Sequence, residues 1–201
     1  MNFLAHLLLA GDDEGLRLGA MLGDFVRGSR ALARYDAPTR LGIRLHRHID
    51  ATTDALPAVT GLLEQLKPPF RRYGGIIIDL AFDHHLARRW DEFSAVPLAA
   101  FDQGVRKMLA EHDAIVPERL RGFMRYADRR GLFEAYREKS EILYSLRGVG
   151  RRLSRANPLH RVDEIWDDFE PVVAKSFAPV LGEIQSNVDG WLKSKSTMTG
   201  S

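Results

Sequence analysis

The segment IIIDLAFDHHLARRW, residues 76–90, decides the fold of this chain because it has the pattern of a buried helix. At about 100° per residue its large apolar side chains form one stripe, and Asp79 and Asp83 project from within that stripe. An unpaired carboxylate in a core costs several kcal/mol, so a cation or a good set of hydrogen-bond donors must offset the burial. A divalent metal ion meets this demand and points to hydrolytic chemistry.

The rest of the chain is also patterned as helices, and the alternating β-branched runs typical of strands are missing. Glycines and prolines separate nine predicted helical segments, which are 2–10, 15–27, 38–53, 55–66, 70–92, 97–112, 116–131, 133–154 and 160–193. The sequence therefore predicts an all-α, single-domain helical bundle over residues 1–192. We expect Pro171 and Pro179 to break or kink the last helix, and the small polar tail 193–201 to be disordered.

Composition limits the class of protein and the kind of site. The 201 residues are 45% hydrophobic and 28% charged, which suits one substantial core. Cysteine is absent, which excludes thiolate catalysis, disulfides and cysteine-ligated zinc. The apolar run at the N-terminus lacks a basic leader, and no stretch approaches the ~20 apolar residues of a membrane span. We therefore expect a cytoplasmic protein with no membrane partner.

The basic residues are mostly arginine, 23 against 6 lysines, while the net charge is only +2. Arginine's planar fork suits carboxylate and phosphate partners better than lysine's point charge does. An acidic protein, a phosphate ester or RNA all fit this bias. The overall charge is too balanced to favour bulk nucleic-acid binding, so we expect no nucleic-acid partner.

Polar residues on apolar helix faces gather in the first 90 residues. His6 lies in a helix that is apolar on all sides, and Asp24 ends a hydrophobic helix. In RLGIRLHRHID, residues 40–50, His46 and Asp50 are four residues apart and so share one helix face. With the two acids of 76–90, several helices offer inward ligands to a common point, as in the metal sites of helical bundles. Oxygen-rich ligation with imidazole and no sulfur favours Mn²⁺, Mg²⁺ or Fe²⁺ over structural zinc.

Each of these residues also has a purely structural interpretation. The structural alternatives are a hydrogen-bonded core histidine for His6, a cap or ion pair for Asp24 and Asp50, and an arginine pair for Asp79. Together they need an unusual number of separate explanations, so the sequence favours one shared site.

Four motifs, in order from residue 1, resemble the acyl carrier protein phosphodiesterase family. They are MNFLAH (1–6), LGDFVRG (22–28), GIRLHRHIDATTDALP (42–57) and DLAFDHHLARRW (79–90). The resemblance implies a divergent HD-domain-like metal hydrolase that removes the 4′-phosphopantetheine arm from holo-acyl carrier protein. It implies Mn²⁺ as the ion, with Mg²⁺ and Fe²⁺ as alternatives. The chain departs from the family's AHLHLA pattern at Leu8, where the family has a second histidine.

The resemblance also implies which residues form the site. As metal ligands we assign His6, Asp24, His46, Asp50, Asp79 and Asp83. As catalytic residues we assign His84, His6 and Asp50, with His84 as a general acid or outer-shell partner because it points about 100° away from Asp83.

An acidic carrier protein calls for basic residues near the site, and we assign Arg27, Arg44 and Arg47 to partner binding. A second arginine group lies at 147–155. Two other functions remain open at this point. One is an HD-like nucleotide phosphohydrolase, and the other is a non-enzymatic helical adaptor for acidic proteins, with its inward acids paired to arginine.

Overall fold

Helices make up nearly all the regular structure of the computed structural model, which describes residues 2–130 and 133–199. No strand occurs within those ranges, so the all-α prediction is confirmed. The helices are α1 (Phe3–Leu9), α2 (Glu14–Leu22), α3 (Ser29–Leu32), α4 (Ala37–Ala55), α5 (Pro57–Gln65), α6 (Gly74–Arg88), α7 (Leu98–Glu111), α8 (Glu118–Arg130), α9 (Lys139–Arg152) and α10 (Asp163–Thr199).

Several boundaries differ from the predicted segments. Helix α2 ends at Leu22 rather than at residue 27, and the predicted segment 70–92 consists of α6 with a 3₁₀ turn on each side. The short helix α3 was not predicted, and the predicted segment 133–154 divides into a 3₁₀ turn, Glu134–Arg137, followed by α9. The predicted end of one segment at Gly131 lies outside the described residues.

The last helix is longer and more continuous than the sequence predicted. It runs to Thr199, so residues 193–199 of the expected disordered tail are helical, and no glycine or proline interrupts 191–199. Residues 200 and 201 lie outside the described ranges. The expected break at Pro171 and Pro179 is wrong, because α10 continues through both. Buried neighbours such as Phe177 and Val180 explain why, since tertiary packing outweighs the roughly 3 kcal/mol cost of an interior proline.

Helix α6 is the central helix, as its apolar pattern predicted. Most of its side chains are buried, including the polar Asp83, His84 and His85. It packs against α1, α5, α9 and α10. A helix buried on nearly every side presents its polar groups to protein rather than to water, so each needs a partner.

Glycines let α2 and α4 pack backbone to backbone. A Cβ atom on Gly19 would lie 2.4 Å from the carbonyl oxygen of Thr39, and one on Gly42 would lie 2.4 Å from that of Leu16. The same contact brings α4 under the end of α2, where a Cβ on Gly23 would lie 2.2 Å from Cγ of His46. Side chains at these positions would push the helices apart and displace the histidine.

Within the described ranges, none of the helices has the length and apolar character needed to cross a membrane.

Candidate metal centre

Two histidines from different helices lie face to face above one carboxylate. The rings of His6 on α1 and His46 on α4 stack with centroids 3.8 Å apart and planes 13° apart. Asp50, one turn after His46, uses one oxygen for each ring: Oδ1 lies 3.0 Å from Nε2 of His6, and Oδ2 lies 3.3 Å from Nε2 of His46. The rings are buried while the Asp50 side chain is 42% exposed, so the group opens toward solvent on one side.

The orientation of His46 is fixed from behind. Its Nδ1 donates a hydrogen bond to the carbonyl oxygen of Ala20 at 2.8 Å, which turns Nε2 toward the acids. Asp24, just beyond the end of α2, places Oδ1 3.4 Å from that same Nε2 and has a side chain that is 60% exposed. The helix-borne pair predicted for residues 46 and 50 therefore exists, and a second acid joins it.

Three atoms of this group fit a single cation. One ligand atom each from His6, His46 and Asp50 lie within 4.8 Å of one another. Two imidazoles and one carboxylate are a donor set that suits Mn²⁺ or Fe²⁺. We refer to His6, His46 and Asp50 as the His–His–Asp group.

Electrostatics assigns one proton to the group. Burial alone would lower the pKa of His46, but hydrogen bonds to Asp24 and Asp50 outweigh it and raise that pKa to about 9. Burial lowers the pKa of His6 to about 4, against the hydrogen bond to Asp50. The pKa of Asp24 is lowered mainly by its bond to His46. Near neutral pH a proton on His46 thus stands between two carboxylates, the position a cation would take.

Asp83 has main-chain partners rather than the histidines. Its Oδ2 accepts from the amide of Leu4 at 2.9 Å, and its Oδ1 accepts from the amide of Ala5 at 3.2 Å. Burial raises its pKa to about 7, although both amides favour the charged form. The side chain caps the first turn of α1 and so holds the helix that carries His6.

Asp79 lies one turn before Asp83 on α6, and burial raises its pKa. Neither acid belongs to the His–His–Asp group. Their assignment as metal ligands stays a prediction.

His84 faces a different part of the core. Its Nδ1 donates to the carbonyl oxygen of Tyr136 at 2.6 Å, and its ring packs edge-on against Trp166. Burial lowers its pKa. The contacts described for this ring do not include the His–His–Asp group, and the 100° step along α6 from Asp83 accounts for that.

The three arginines assigned to partner binding differ in their surroundings. All three are exposed, but Arg27 and Arg44 differ from Arg47 in their hydrogen bonds. Arg47 donates through Nη2 to the carbonyl oxygen of Val26 at 2.6 Å, which ties α4 to the segment that follows α2. In the second arginine group, Arg147 pairs with Asp163 at 2.8 Å.

A cavity of about 840 Å³ opens beside Asp24, and we call it the α8–α9 cleft. Its walls come from α1, the segment after α2, α8 and α9. The contribution of α8 and α9 was not predicted from the sequence, because small residues such as Gly122 and Gly148 carry no chemical signal. The one available signal was the second arginine group, of which Arg151 and Arg152 line the cleft.

Comparison with known proteins identifies one family. The family model described as acyl carrier protein phosphodiesterase matches residues 1–184. Relatives named acyl carrier protein phosphodiesterase include one from Photorhabdus laumondii, 31% identical over 94% of this chain and 97% of the relative. Another, from Serratia proteamaculans, is 35% identical over 77% of this chain and 80% of its own length. A third, from Pectobacterium atrosepticum, is 39% identical over 63% and 65% respectively. No solved structure matches the chain.

Proposed function

The chain belongs to the acyl carrier protein phosphodiesterase family and is an enzyme of that kind, and from this we propose a metal-dependent reaction. The substrate is holo-acyl carrier protein, and the products are the apo protein and 4′-phosphopantetheine. The cation is Mn²⁺, with Mg²⁺ and Fe²⁺ as alternatives. The relation of the fold to HD-domain hydrolases stays a prediction.

The observation that carries the metal proposal is the convergence of two buried imidazoles on one carboxylate. His6 and His46 come from helices 40 residues apart in sequence, yet each places Nε2 within 3.3 Å of an Asp50 oxygen. A purely structural histidine needs one acceptor, and His46 has three close oxygens, from Ala20, Asp24 and Asp50. When bound there, a divalent ion supplies charge neutralisation for phosphate oxygens and lowers the pKa of a water molecule.

The chain's own residues supply the proton transfers. Asp24 is the more exposed acid beside His46, and its lowered pKa keeps it ionised near neutral pH. It accepts the proton of the attacking water as the new oxygen–phosphorus bond forms. The phosphorus–oxygen bond to the carrier's serine then breaks, and the serine oxygen, which leaves on the opposite side of the phosphorus, takes a proton from solvent, to which Asp24 releases its own. Asp50 stays charged throughout, because the two histidines hold its pKa below the usual range.

Carrier recognition is assigned to two exposed arginines on the segments that carry Asp24 and the His–His–Asp group. Arg27 follows Asp24 by three residues, and Arg44 lies on α4, six residues before Asp50. Opposite charges on the two proteins would speed association and fix their relative orientation.

The two other functions have less support. An adaptor with structural salt bridges would pair its inward acids with arginine. Instead, Asp50 meets histidines, and Asp83 meets main-chain amides. A nucleotide phosphohydrolase finds no support in the family match.

The test is direct. Purified protein is treated with a chelator, supplied with Mn²⁺ and incubated with holo-acyl carrier protein, and the carrier is weighed by mass spectrometry. We expect the carrier to lose the mass of the arm only when the ion is present. An unchanged carrier mass with Mn²⁺, Mg²⁺ and Fe²⁺ in turn would exclude this function.

A further inference from the structure

The α8–α9 cleft starts at the proposed reaction centre. Asp24, whose carboxylate lies 3.4 Å from Nε2 of His46, is one of its lining residues. Phe25 and Phe3 also line the cleft, and their stacked rings have centroids 6.3 Å apart. The ring centroid of Phe123, on α8, lies 5.2 Å from that of Phe3. A substrate phosphate held at the His–His–Asp group would therefore have these aromatic rings beside it.

The cleft is long because it follows one face of a helix. Its lining residues on α9 are Glu141, Ser145, Gly148, Val149, Arg151 and Arg152, which lie within one half of the helix circumference. From the first to the last of these the helix rises by about 17 Å. On the opposite wall the lining residues of α8, Arg119, Gly122 and Phe123, also share one face.

The lining is amphipathic rather than simply apolar. The phenylalanines cover one part, while Asn2 and Ser145 offer polar side chains. Arg119 and Arg152 are exposed and make no ion pair with any residue that the structure describes. Sites of this kind, mostly apolar with a few polar groups, hold small molecules when their volume is roughly 300–1,000 Å³.

We infer that the α8–α9 cleft is the binding site for the pantetheine arm of the carrier, with its phosphate end at Asp24 and the chain laid along α9. This rests on the proposed function. The main chain of the arm has roughly 13 atoms from phosphate oxygen to thiol, equal to about 15 Å of extended backbone. That length matches the face of α9. The two methyl groups next to the phosphate end meet the Phe3, Phe25 and Phe123 rings, and the two amides meet polar side chains farther along.

Two glycines make the test possible without damaging the fold. A Cβ on Gly122 or on Gly148 would have its nearest neighbour at 3.7 Å, an arginine Nη2 atom, which is an ordinary contact. Both glycines are helical and line the cleft, so Gly122→Leu and Gly148→Leu fill it while raising helix propensity. Gly182→Leu is the matched control, since Gly182 is an exposed residue of α10, outside the cleft, with no atom within 4 Å of its Cβ position.

The measurements are calorimetric binding of 4′-phosphopantetheine and kcat/KM on holo-acyl carrier protein and on a small activated phosphodiester, all with Mn²⁺. We expect each cleft-filling change to weaken 4′-phosphopantetheine binding at least tenfold. The loss of kcat/KM on the carrier should exceed that on the small diester by at least tenfold. The control should match the wild type, and circular dichroism melts should show that all variants fold.

The outcomes separate the two proposals. If wild-type protein acts on the carrier but both cleft-filling variants bind 4′-phosphopantetheine as tightly as the control, the cleft assignment is wrong and the proposed function stands. Equal losses on carrier and small diester would also overturn the assignment, since they would indicate damage to the reaction centre. A wild type that never acts on the carrier refutes the proposed function, and the cleft assignment falls with it.

Discussion

The stacked rings of His6 and His46 have pKa values displaced in opposite directions, to about 4 and about 9. Burial disfavours a charge on both rings. Only His46 lies close to two acids, Asp24 and Asp50, so the proton binds to the His46 ring. The positive charge on His46 then disfavours a second proton on His6. The pair accepts one positive charge, whether from a proton or from a metal ion.

Loss of a ligand from the His–His–Asp group should abolish metal binding and turnover together. We expect His6→Ala, His46→Ala and Asp50→Ala each to lower Mn²⁺ affinity and kcat by roughly 100-fold or more. Mutation of a residue that only orients a metal ligand already lowers metal affinity or activity by about 10–100-fold. Calorimetry with Mn²⁺ and carrier-mass kinetics measure both. Asp54→Ala, an exposed acid one turn farther along α4, is the matched control. Normal Mn²⁺ affinity in the Asp50 variant would contradict the site.

His46 and Asp50 should behave as one unit. Residues that act together show losses that do not add, because removing one already disables the other. We expect the double variant His46→Ala/Asp50→Ala to lose about as much activity as His46→Ala alone. Fully additive losses in kcat would show that the two residues have separate roles.

Metal affinity should depend on pH through His46. The ion must displace a proton held with a pKa of about 9. Below pH 9 the apparent Mn²⁺ affinity should rise about tenfold for each pH unit, because less of the competing proton is bound. Above that pH the affinity should stay constant. Calorimetric titrations of Mn²⁺ from about pH 7 to pH 9, in buffers of different ionisation enthalpy, should show release of one proton per ion near pH 7. Affinity independent of pH over that range would place the ion elsewhere.

Asp83 should stabilise the metal-free protein. Asp83→Ala leaves the buried amides of Leu4 and Ala5 without their acceptor, a loss of about 1–3 kcal/mol for such groups. Urea denaturation in the presence of a chelator measures the free energy of unfolding, with Asp54→Ala as control. If Asp83 is instead a metal ligand, as the motifs predicted, its removal would spare or raise metal-free stability and abolish the stabilisation by Mn²⁺.

Arginine changes should separate docking from local support. Arg44→Glu removes an exposed cation, so we expect KM for the carrier to rise more than kcat falls, and wild-type kcat/KM to drop steeply as salt screens the attraction. Arg47→Glu also loses the bond to Val26, so its stability and its turnover of a small diester should fall too. Equal salt dependence for the carrier and the small diester would argue against charge-guided docking.

The sequence predicted what local periodicity determines. Helix α6 was predicted as buried because its apolar residues recur at helical spacing, and the pairing of His46 with Asp50 was predicted because one turn separates them. His6 was assigned to the same site from the motif MNFLAH, and its distance from the other two depends on the packing of α1, which no local pattern contains. His84 was assigned to the site on motif alone, and its position around α6 directs it to Tyr136.

The spacing of apolar residues also cannot predict which group compensates a buried acid. The pattern of 76–90 showed that Asp83 must be compensated, and a cation was the first candidate. The structure supplies the other option, donors from the main chain, because the start of α1 meets α6 there. The cleft was missed for a similar reason, since its shape depends on the separation of α8 and α9 rather than on any residue type.

The bond between Asp83 and α1 spans 79 residues, and it sets an order of events during synthesis. A growing chain on the ribosome already contains His6, His46 and Asp50 once residue 50 has emerged, and α1 can already pack on α2. The amides of the first turn of α1 gain their Asp83 acceptor only when α6 follows. The capped form of α1, which carries His6, is therefore a late product of folding. A fragment ending before residue 74 contains His6, His46 and Asp50 without that cap, so if the group binds the proposed ion, we expect the fragment to bind it more weakly than the full chain.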